Sequence, residues 1–146
     1  MAIWFTSPTL EALNARSRGT LVAHVGITYI AVGDDAITAR MAVDQRTIQP
    51  AGILHGGASV VLAETLGSVA ANLCIDPDRQ MAVGMEINAN HVRPVRDGHV
   101  TGTVTPVHIG KATHIWQIHI RDDDDRLVCI SRITMAVLNK TSANKE

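Results

Sequence analysis

One glutamate stands in the middle of a segment whose other residues predict a buried helix. Between Ala58 and Cys74 nearly every side chain is Ala, Val, Leu or Gly. The polar exceptions are Ser59, Glu64, Thr65, Ser68 and Asn72. A helix that is apolar almost all round is expected to be covered on every side. Because burying an unpaired carboxylate is costly, Glu64 needs either a partner or a function to account for its position.

Glu64, Ser68 and Asn72 recur at intervals of four residues, so they form one polar stripe on the predicted helix. Three interpretations of this stripe are open. It can face solvent through a gap in the fold, or it can bond to a partner subunit without any chemistry. Alternatively, Glu64 lines a mostly apolar pocket, in which a carboxylate can act as a general base or as a nucleophile. We favour the third interpretation.

The start of the same helix carries a second candidate group, the sequence His55-Gly56-Gly57. The first turn of a helix has free N–H groups and the positive end of the helix dipole, and glycine lets a ligand approach the backbone closely. Such a terminus can bind an anion or stabilise an oxyanion that develops during a reaction. Paired glycines often only form a loop. A pair followed seven residues later by a helix-borne carboxylate is a considerably stronger signal.

The spacing of these two groups limits how they can act together. Gly57 and Glu64 are seven residues apart, which is about 10 Å along a helix axis. The side chain of Glu64 leans back towards the helix start but recovers only part of that distance. A carbonyl group held at the helix start is therefore out of reach of the glutamate on the same helix. If both groups act on one substrate, they come from two chains, and a twofold dimer then contains two composite sites.

The whole chain predicts one α+β domain over residues 1–138, followed by a polar tail over residues 139–146. Ser7 and Pro8 predict the start of a short helix through the sequence TLEALNA, and the long helix is predicted over residues 56–74. Six strands are predicted at residues 21–32, 36–43, 81–93, 99–107, 112–121 and 127–138. Short turns between strands favour an antiparallel sheet, and a sheet wrapped around the long helix would bury that helix.

The composition limits the functions that are open to the chain. A formal net charge of −1 and an isoelectric point near 6.6 argue against a role on nucleic acid or an anionic membrane. No apolar run reaches the length of a membrane span, and the first residues lack the pattern of a signal peptide. Cys74 and Cys129 are expected to be reduced thiols, as in a cytoplasmic protein.

Three stretches carry a resemblance to a known family: PAGILHGGASVVLAETLGSVAAN, VGMEINANHVRP and VDQRTIQP. They resemble the hotdog-fold acyl-CoA thioesterases, in particular the bacterial subgroup that hydrolyses 1,4-dihydroxy-2-naphthoyl-CoA in menaquinone synthesis. A sister subgroup proofreads the aryl carrier protein of enterobactin synthesis. The resemblance extends over nearly the whole chain, from TLEALNA to ITMAVL. It implies a hotdog fold, homotetramers built from dimers with active sites at the dimer interface, and no cofactor besides the CoA of the substrate.

Carried over residue by residue, the resemblance implies a role for each residue of the motifs. Glu64 would be the catalytic carboxylate, as a general base for water or as a nucleophile, and the Gly56 N–H would polarise the thioester carbonyl group. Gln49 and His55 would flank that carbonyl group and position water or the leaving group. Ser68 would orient the carboxylate or the water.

A second set of residues is predicted to bind the CoA part of a substrate. One face of the strand VGMEINANHVRP turns from apolar to cationic. The residues of that face are Val83, Met85, Ile87, Ala89, His91 and Arg93. The resemblance places His91 near the pantetheine arm, while Arg93 and Lys111 are further candidates for the CoA phosphates. Gly57 is a candidate for close contact with the substrate.

No metal site is predicted, because the remaining histidines lack the spacing of zinc ligands. Ala51 stands where the family has a bulkier and often aromatic residue, which changes the expected shape of the acyl pocket. Two other functions are open. One is a hydratase or dehydratase of acyl thioesters, with His55 and Glu64 as its acid/base pair, although Gln49 and Ser68 favour hydrolysis. The other is a non-catalytic acyl-CoA-binding module, which would not need the carboxylate.

Overall fold

The computed structural model describes residues 1–141 of the chain. Its helices and strands follow in the order α1 (Leu10–Ser17), α2 (Leu21–His24), β1 (Ile27–Val32), β2 (Ile37–Ala42), α3 (Gly56–Leu73), β3 (Gln80–His91), β4 (His99–Ile109), β5 (Thr113–Asp122) and β6 (Leu127–Asn139). The last strand ends one residue beyond the predicted boundary at residue 138. Residues 142–146 of the predicted tail lie outside the described part.

All six strands belong to one antiparallel sheet with the spatial order β1-β2-β4-β5-β6-β3. β1 and β3 are therefore its two edges. The helix α3 packs against β2, β3, β4, β5 and β6, so nearly the whole sheet is built around one helix. The predicted α+β hotdog architecture, six antiparallel strands around one long helix, is confirmed.

The sequence of α3 explains both its ends and its buried face. His55 is the N-cap, and its imidazole accepts a hydrogen bond from the Gly57 N–H group at 2.8 Å. The residues buried against the sheet are small or branched: Leu62, Ala63, Leu66, Gly67, Ala70, Ala71 and Leu73. Full burial of one leucine stabilises a fold by roughly 1.5–3 kcal/mol, so this face fixes α3 in place. No helix within residues 1–141 is long and apolar enough to cross a membrane.

The predicted start of the short N-terminal helix is wrong. The helix α1 begins at Leu10, and Thr9 is its N-cap. The Thr9 hydroxyl accepts a hydrogen bond from the Ala12 N–H group at 3.2 Å, which satisfies one of the free donors of the first turn. Ser7 and Pro8 therefore precede the helix, because Thr9, which can also cap a helix, lies closer to the apolar positions of α1.

The predicted strand over residues 21–32 is wrong in its first part. Residues Leu21–His24 form α2, a single helical turn that packs against β1 and α3. Gly26 follows with a φ of 76°, a left-handed conformation that glycine adopts without strain, and β1 starts one residue later. A short apolar run fits a helical turn or a strand equally well, so packing decides the outcome here.

A bulge in β3 changes which of its side chains share a face. The pairing of β3 with β6 shifts at Met85, which is an extra residue in the strand. Odd-numbered side chains therefore point to one face of the sheet before the bulge and to the other face after it. The prediction that Val83 and Met85 share the face of Ile87 and Ala89 is wrong, and Gly84 faces α3 before the bulge.

Candidate active site

A cavity of about 360 Å³ opens beside the middle of α3. The helix α3 forms one wall, and α1, the segment that follows it and β1 form the others. Its lining residues are Leu13, Arg16, Ser17, Thr20, Val22, Tyr29, Glu64, Thr65, Ser68 and Val69. The structure thus places Glu64 and Ser68, two of the predicted site residues, in one mostly apolar cavity.

Asn72, the third member of the predicted polar stripe, has a different role. Its side-chain amide group donates to the Ser68 carbonyl oxygen at 2.9 Å and to the Ala82 carbonyl oxygen at 3.0 Å. Its side-chain oxygen accepts from the Ala82 N–H group at 3.0 Å. Asn72 therefore ties the last turn of α3 to the start of β3, and only Glu64 and Ser68 of the stripe face the cavity.

Gly84 of β3 makes room for the carboxylate of Glu64. A Cβ atom added to Gly84 would lie 2.7 Å from Glu64 Oε1, which is closer than van der Waals contact allows. Glu64 is half-buried, and it forms no ion pair with another residue of the range 1–141. The carboxylate is therefore held against a strand but is available to a bound molecule.

Four polar residues of this cavity were not predicted from the sequence: Arg16, Ser17, Thr20 and Tyr29. Tyr29 is buried, and burial raises the pKa of its phenol to about 12, while the Arg16 charge acts in the opposite direction. Asn14 fixes the backbone of Tyr29 through two hydrogen bonds of 2.9 and 3.0 Å. The one available signal was that Tyr29 is the single tyrosine of the chain.

The start of α3 presents one free backbone N–H group. The His55 imidazole accepts from the Gly57 N–H, and the His55 carbonyl oxygen accepts from Ala58 at 2.9 Å and from Ser59 at 3.3 Å. Within the described residues, the Gly56 N–H has no hydrogen-bond partner. Of the two glycines predicted to contact a substrate, Gly56 offers a donor, whereas the N–H of Gly57 is already held by His55.

A second cavity, of about 390 Å³, lies at this helix start. Its lining residues are Gln49, Ile53, Leu54, Gly56, Ser59, His91, Val92, Arg93, Pro94 and Val128. Four residues from the sequence predictions therefore come together here: Gln49, Gly56, His91 and Arg93. The contact between two of them is close, because a Cβ atom added to Gly56 would lie 2.9 Å from His91 Nε2.

Gln49 is positioned by the tight loop that precedes α3. Ile48 and Leu54 pair across this loop, and Gly52 makes its turn with a φ of 75°. The side-chain oxygen of Gln49 accepts a hydrogen bond from the Ala51 N–H group. This bond orients the amide and leaves its NH2 group as a donor at the cavity.

Lys111 lies far from this cavity. It belongs to the turn before Thr113. Thr113 of β5 and Val83 of β3 pair with the same residue of β6, so the turn lies at the Val83 end of β3. About eight residues of strand, roughly 27 Å, separate Val83 from His91. The two candidate phosphate ligands, Arg93 and Lys111, therefore lie at opposite ends of the sheet, and one chain does not bring them together.

The two cavities share no lining residue. Glu64 and the Gly56 N–H group are separated by about 12 Å along the axis of α3. One cavity thus supplies a carboxylate, and the other supplies an unpaired amide donor. Among residues 1–141, no three His, Cys, Asp or Glu side chains are grouped so that they could hold a metal ion.

Known proteins resemble this chain over most of its length. The sequence model of the thioesterase superfamily matches residues 51–129. A 1,4-dihydroxy-2-naphthoyl-CoA hydrolase from Escherichia coli K12 is 53% identical over 136 residues, which cover 93% of this chain and 99% of that protein. The proofreading thioesterase EntH from Cronobacter sakazakii is 52% identical over 136 residues, covering 93% and 98% of the two chains.

The same relationship holds for solved structures. The crystal structure of a mutant thioesterase from Pseudomonas aeruginosa matches with a TM-score of 0.94 and 47% identity, covering 95% of this chain and 100% of that one. A thioesterase from Haemophilus influenzae matches with a TM-score of 0.91 and 49% identity, covering 94% and 95%. The chain belongs to the thioesterase superfamily.

Proposed function

We propose that this protein hydrolyses the thioester bond of an acyl-CoA or of an aryl carrier protein, at sites built from two copies of the chain. The separation of Glu64 from the Gly56 N–H group carries this proposal. Each cavity alone lacks one of the two groups that thioester hydrolysis needs, a nucleophile or base and a donor for the oxyanion. Two chains supply both groups to each site.

The edge strand β3 supports a way to join the two copies. Its outer side has no neighbour among the strands of the described chain, and a long strand edge is a template for pairing with another strand. Antiparallel pairing of two β3 strands about a twofold axis near Asn88 sets Ile87 of one copy opposite Ala89 of the other. Both residues then point to the helix side of the joined sheet.

The bulge in β3 matters for this pairing. Because Met85 is an extra residue, His91 of one copy comes opposite Gly84 of the other. His91 lies against Gly56, and Gly84 lies against Glu64. This arrangement therefore brings the helix start of one copy to the carboxylate of the other, and the twofold axis repeats the site.

In the proposed reaction, the thioester carbonyl oxygen accepts a hydrogen bond from the Gly56 N–H group. Glu64 of the other copy either removes a proton from water as the water oxygen attacks the carbonyl carbon, or attacks that carbon itself. The first route forms a tetrahedral oxyanion, and the C–S bond then breaks as the leaving thiolate takes the proton from Glu64. In the second route the C–S bond breaks as Glu64 forms an acyl anhydride; water then cleaves the anhydride, which regenerates the Glu64 carboxylate and gives one proton of the water to the thiolate. Both routes release a carboxylic acid and a thiol.

The other residues predicted for the site have supporting roles in this proposal, and of these His55 lines neither cavity. Ser68 lies one helical turn after Glu64, where its hydroxyl group can orient the carboxylate or the water. Gln49 and His55 flank the carbonyl group, Gln49 as a donor of its NH2 group. His55 also holds the Gly57 N–H, which leaves the Gly56 N–H as the donor for the substrate.

The second cavity is the proposed entry of the pantetheine arm. His91 lies against Gly56, and Arg93 follows on the same segment, where its charge can bind a phosphate. Lys111 is at the other end of the sheet, so it can serve only a CoA that extends across to another copy. The substrate supplies the CoA, and the proposed chemistry needs no other cofactor.

The proposed acyl group is aromatic, such as that of 1,4-dihydroxy-2-naphthoyl-CoA, which would give the enzyme a role in menaquinone synthesis. The names of the relatives support this, and the cavity of about 360 Å³ is in the size range of small-molecule sites. We also propose that dimers pair into homotetramers, with a mass about four times the 15.7 kDa of one chain.

Release of free thiol from a panel of CoA thioesters tests the proposal. The panel contains benzoyl-, 1,4-dihydroxy-2-naphthoyl- and straight-chain acyl-CoA of similar size. We expect kcat/KM for the aromatic substrates to exceed that for the straight chains by about tenfold or more. Equal values across the panel would contradict an aromatic substrate, and no thiol release from any member would contradict the function itself.

A further inference from the structure

The hydroxyl group of Tyr29 is a buried polar group without a partner at the Glu64 cavity. Tyr29 is only 3% exposed, and its side chain forms no hydrogen bond within residues 1–141. Its hydroxyl oxygen is not one of the fully enclosed unpaired atoms of the described chain, which are His114 Nδ1 and Trp116 Nε1. The small accessible part of Tyr29 therefore opens onto the cavity that this residue lines. A buried hydroxyl group without a partner is normally satisfied by a ligand or by water.

The other polar side chains near α1 in this cavity are already satisfied. The Ser17 hydroxyl group donates to the Leu13 carbonyl oxygen at 3.1 Å, and the Thr20 hydroxyl group donates to the Ser17 carbonyl oxygen at 2.6 Å. Arg16 is exposed, so water solvates its charged group. Of these four residues, Tyr29 is the one whose polar group is both buried and free to bind a ligand.

The Tyr29 hydroxyl group lies on the α1 side of the cavity. The Asn14 side chain of α1 bonds to both backbone groups of Tyr29, at 2.9 and 3.0 Å, so this residue is fixed beside α1. The charge that opposes the effect of burial on the pKa of the phenol is that of Arg16, which also belongs to α1. Glu64 lines the cavity from another wall, α3. A molecule whose reacting carbon lies at Glu64 therefore reaches Tyr29 with a part that is remote from that carbon.

The chemistry of the cavity favours a neutral hydroxyl group on the acyl part of a substrate. Because burial raises the pKa of the Tyr29 phenol to about 12, the phenol keeps its proton at neutral pH and can both donate and accept a hydrogen bond. A hydroxyl substituent has the same two capacities. A negatively charged substituent would be repelled by the Glu64 carboxylate, which lines the same cavity. An unsubstituted ring would exclude water and leave the Tyr29 hydroxyl group unpaired, which is costly.

We propose that Tyr29 is a specificity residue that binds a hydroxyl group of an aromatic acyl group, at a ring position not adjacent to the carbon that carries the thioester. This inference rests on the proposed thioesterase function and specifies which part of the acyl group the cavity recognises. A hydroxyl group next to the thioester-bearing carbon stays beside Glu64 and does not reach Tyr29. The 1,4-dihydroxy-2-naphthoyl group carries one hydroxyl group of each kind, so it meets this requirement. Tyr29 contacts the acyl substituent and not the reacting atoms.

Pairs of substituted benzoyl-CoA thioesters test this inference in the wild type and in Tyr29→Phe, which removes only the hydroxyl group. The 3-hydroxy and 4-hydroxy substrates are compared with the 3-methyl and 4-methyl substrates, because a methyl group has nearly the size of a hydroxyl group but forms no hydrogen bond. The measured quantity is the ratio of kcat/KM within each pair. Comparing this ratio between the two proteins cancels the electronic effect of the substituent on the thioester. We expect the wild-type ratio to exceed the Tyr29→Phe ratio by about tenfold for the 3-position or the 4-position.

One substrate pair and one variant serve as matched controls. The 2-hydroxy and 2-methyl substrates place the substituent beside the thioester, and we expect the ratio within this pair to be the same in the wild type and in Tyr29→Phe. Ser17→Ala removes a hydroxyl group that lines the same cavity but already donates to the backbone. This variant is expected to leave the ratio within every pair unchanged, and thermal unfolding verifies that both variants are folded.

The outcomes separate this inference from the function on which it rests. Thiol release with equal ratios in the wild type and in Tyr29→Phe at the 3- and 4-positions would overturn the inference alone, since the Tyr29 hydroxyl group would then bind only water. A dependence on Tyr29 that is confined to the 2-position would overturn it as well. An equal loss of the ratio in Ser17→Ala would show that the effect is not specific to Tyr29. Failure to hydrolyse any thioester would overturn both proposals.

Discussion

At the scale of single residues, two polar side chains of the candidate site, Glu64 and Tyr29, lack polar partners in the described chain. Neither side chain has a polar partner within residues 1–141, although Tyr29 is buried and Glu64 is half-buried in the same cavity. Structural polar groups in protein interiors are normally paired, and Asn72 shows this in the same helix, with three hydrogen bonds of 2.9–3.0 Å. This contrast between Asn72 and Glu64 supports the proposal that Glu64 has a functional role.

The first prediction concerns Glu64→Gln. Glutamine has almost the same shape and can occupy the space opposite Gly84, so the fold should be retained. It cannot act as a base or as a nucleophile, and kcat for thioester hydrolysis should fall by about 10³-fold. Thiol release measures the activity, and thermal unfolding measures the fold. Glu11→Gln, in the exposed first turn of α1, is the control, and equal activity of the two variants would exclude the proposed role.

The second prediction concerns pH and Tyr29. Because burial raises the pKa of this phenol from 10.0 to about 12, the folded protein keeps its proton between these values while the unfolded chain loses it. The contribution of Tyr29 to stability is therefore complete below pH 10 and is lost as the pH rises towards 12. The free energy of unfolding should fall by about 1.4 kcal/mol per pH unit in that window.

Comparison with Tyr29→Phe isolates this effect from other groups that titrate in alkali, such as Cys74, whose pKa is raised to about 11 by burial. Urea unfolding at pH 9 and at pH 11.5 gives the two free energies for each protein. The wild type should lose more stability than the variant between these conditions. An identical loss in both proteins would show that the phenol is not shielded from water.

At the scale of the elements, β3 and α3 position the site jointly. Gly84 lies against Glu64 and His91 lies against Gly56, so one strand contacts both candidate catalytic groups of α3. Bulges bend a strand and re-aim its side chains, and the bulge at Met85 lies between these two contacts. The relative placement of the two cavities therefore depends on this irregularity of β3.

The third prediction is that Gly84→Ala impairs activity more than stability. The added methyl group would lie 2.7 Å from Glu64 Oε1, and the flexible carboxylate can move away with little cost to the fold. The carboxylate would then no longer lie in its catalytic position. This misplacement should lower kcat by about tenfold or more, since catalytic groups tolerate little misplacement. Gly33→Ala, whose added Cβ atom meets only an ordinary contact at 3.7 Å, should leave kcat unchanged.

The elements also show what sequence patterns can predict. The long helix was predicted within one residue at its end, because its apolar composition and the glycines at its start are local features. The helical turn at residues 21–24 was missed, because its conformation depends on packing against α3 and β1. The bulge at Met85 was missed because apolar residues alternate with other residues without interruption through this part of the sequence. Arg16 and Tyr29 were missed because a hydrogen-bonded link across 15 residues brings α1 to β1.

At the scale of the whole molecule, each proposed active site needs two copies of the chain. The sequence spacing of Gly57 and Glu64 predicted this, and the two separate cavities support it. The pairing of β3 edges explains how one symmetric contact could complete two sites at once. A monomeric preparation is therefore expected to lack activity.

Complementation in mixed dimers tests this central claim most directly. Glu64→Gln removes the carboxylate, and Gly56→Pro removes the N–H group at the first helical position, where proline is tolerated. His55 already has an extended conformation with a ψ of 130°, which suits a residue before proline. Gly56→Ala is the control, because it adds a Cβ atom beside His91 but keeps the N–H group.

Each variant alone is expected to be nearly inactive. After the two are mixed, dissociated and reassembled, half of the dimers contain one chain of each kind, and one of their two sites is intact. Thiol release should then recover to about a quarter of the wild-type rate per chain. No recovery in a sample whose mixed dimers are verified by native mass spectrometry would contradict sites shared between two chains.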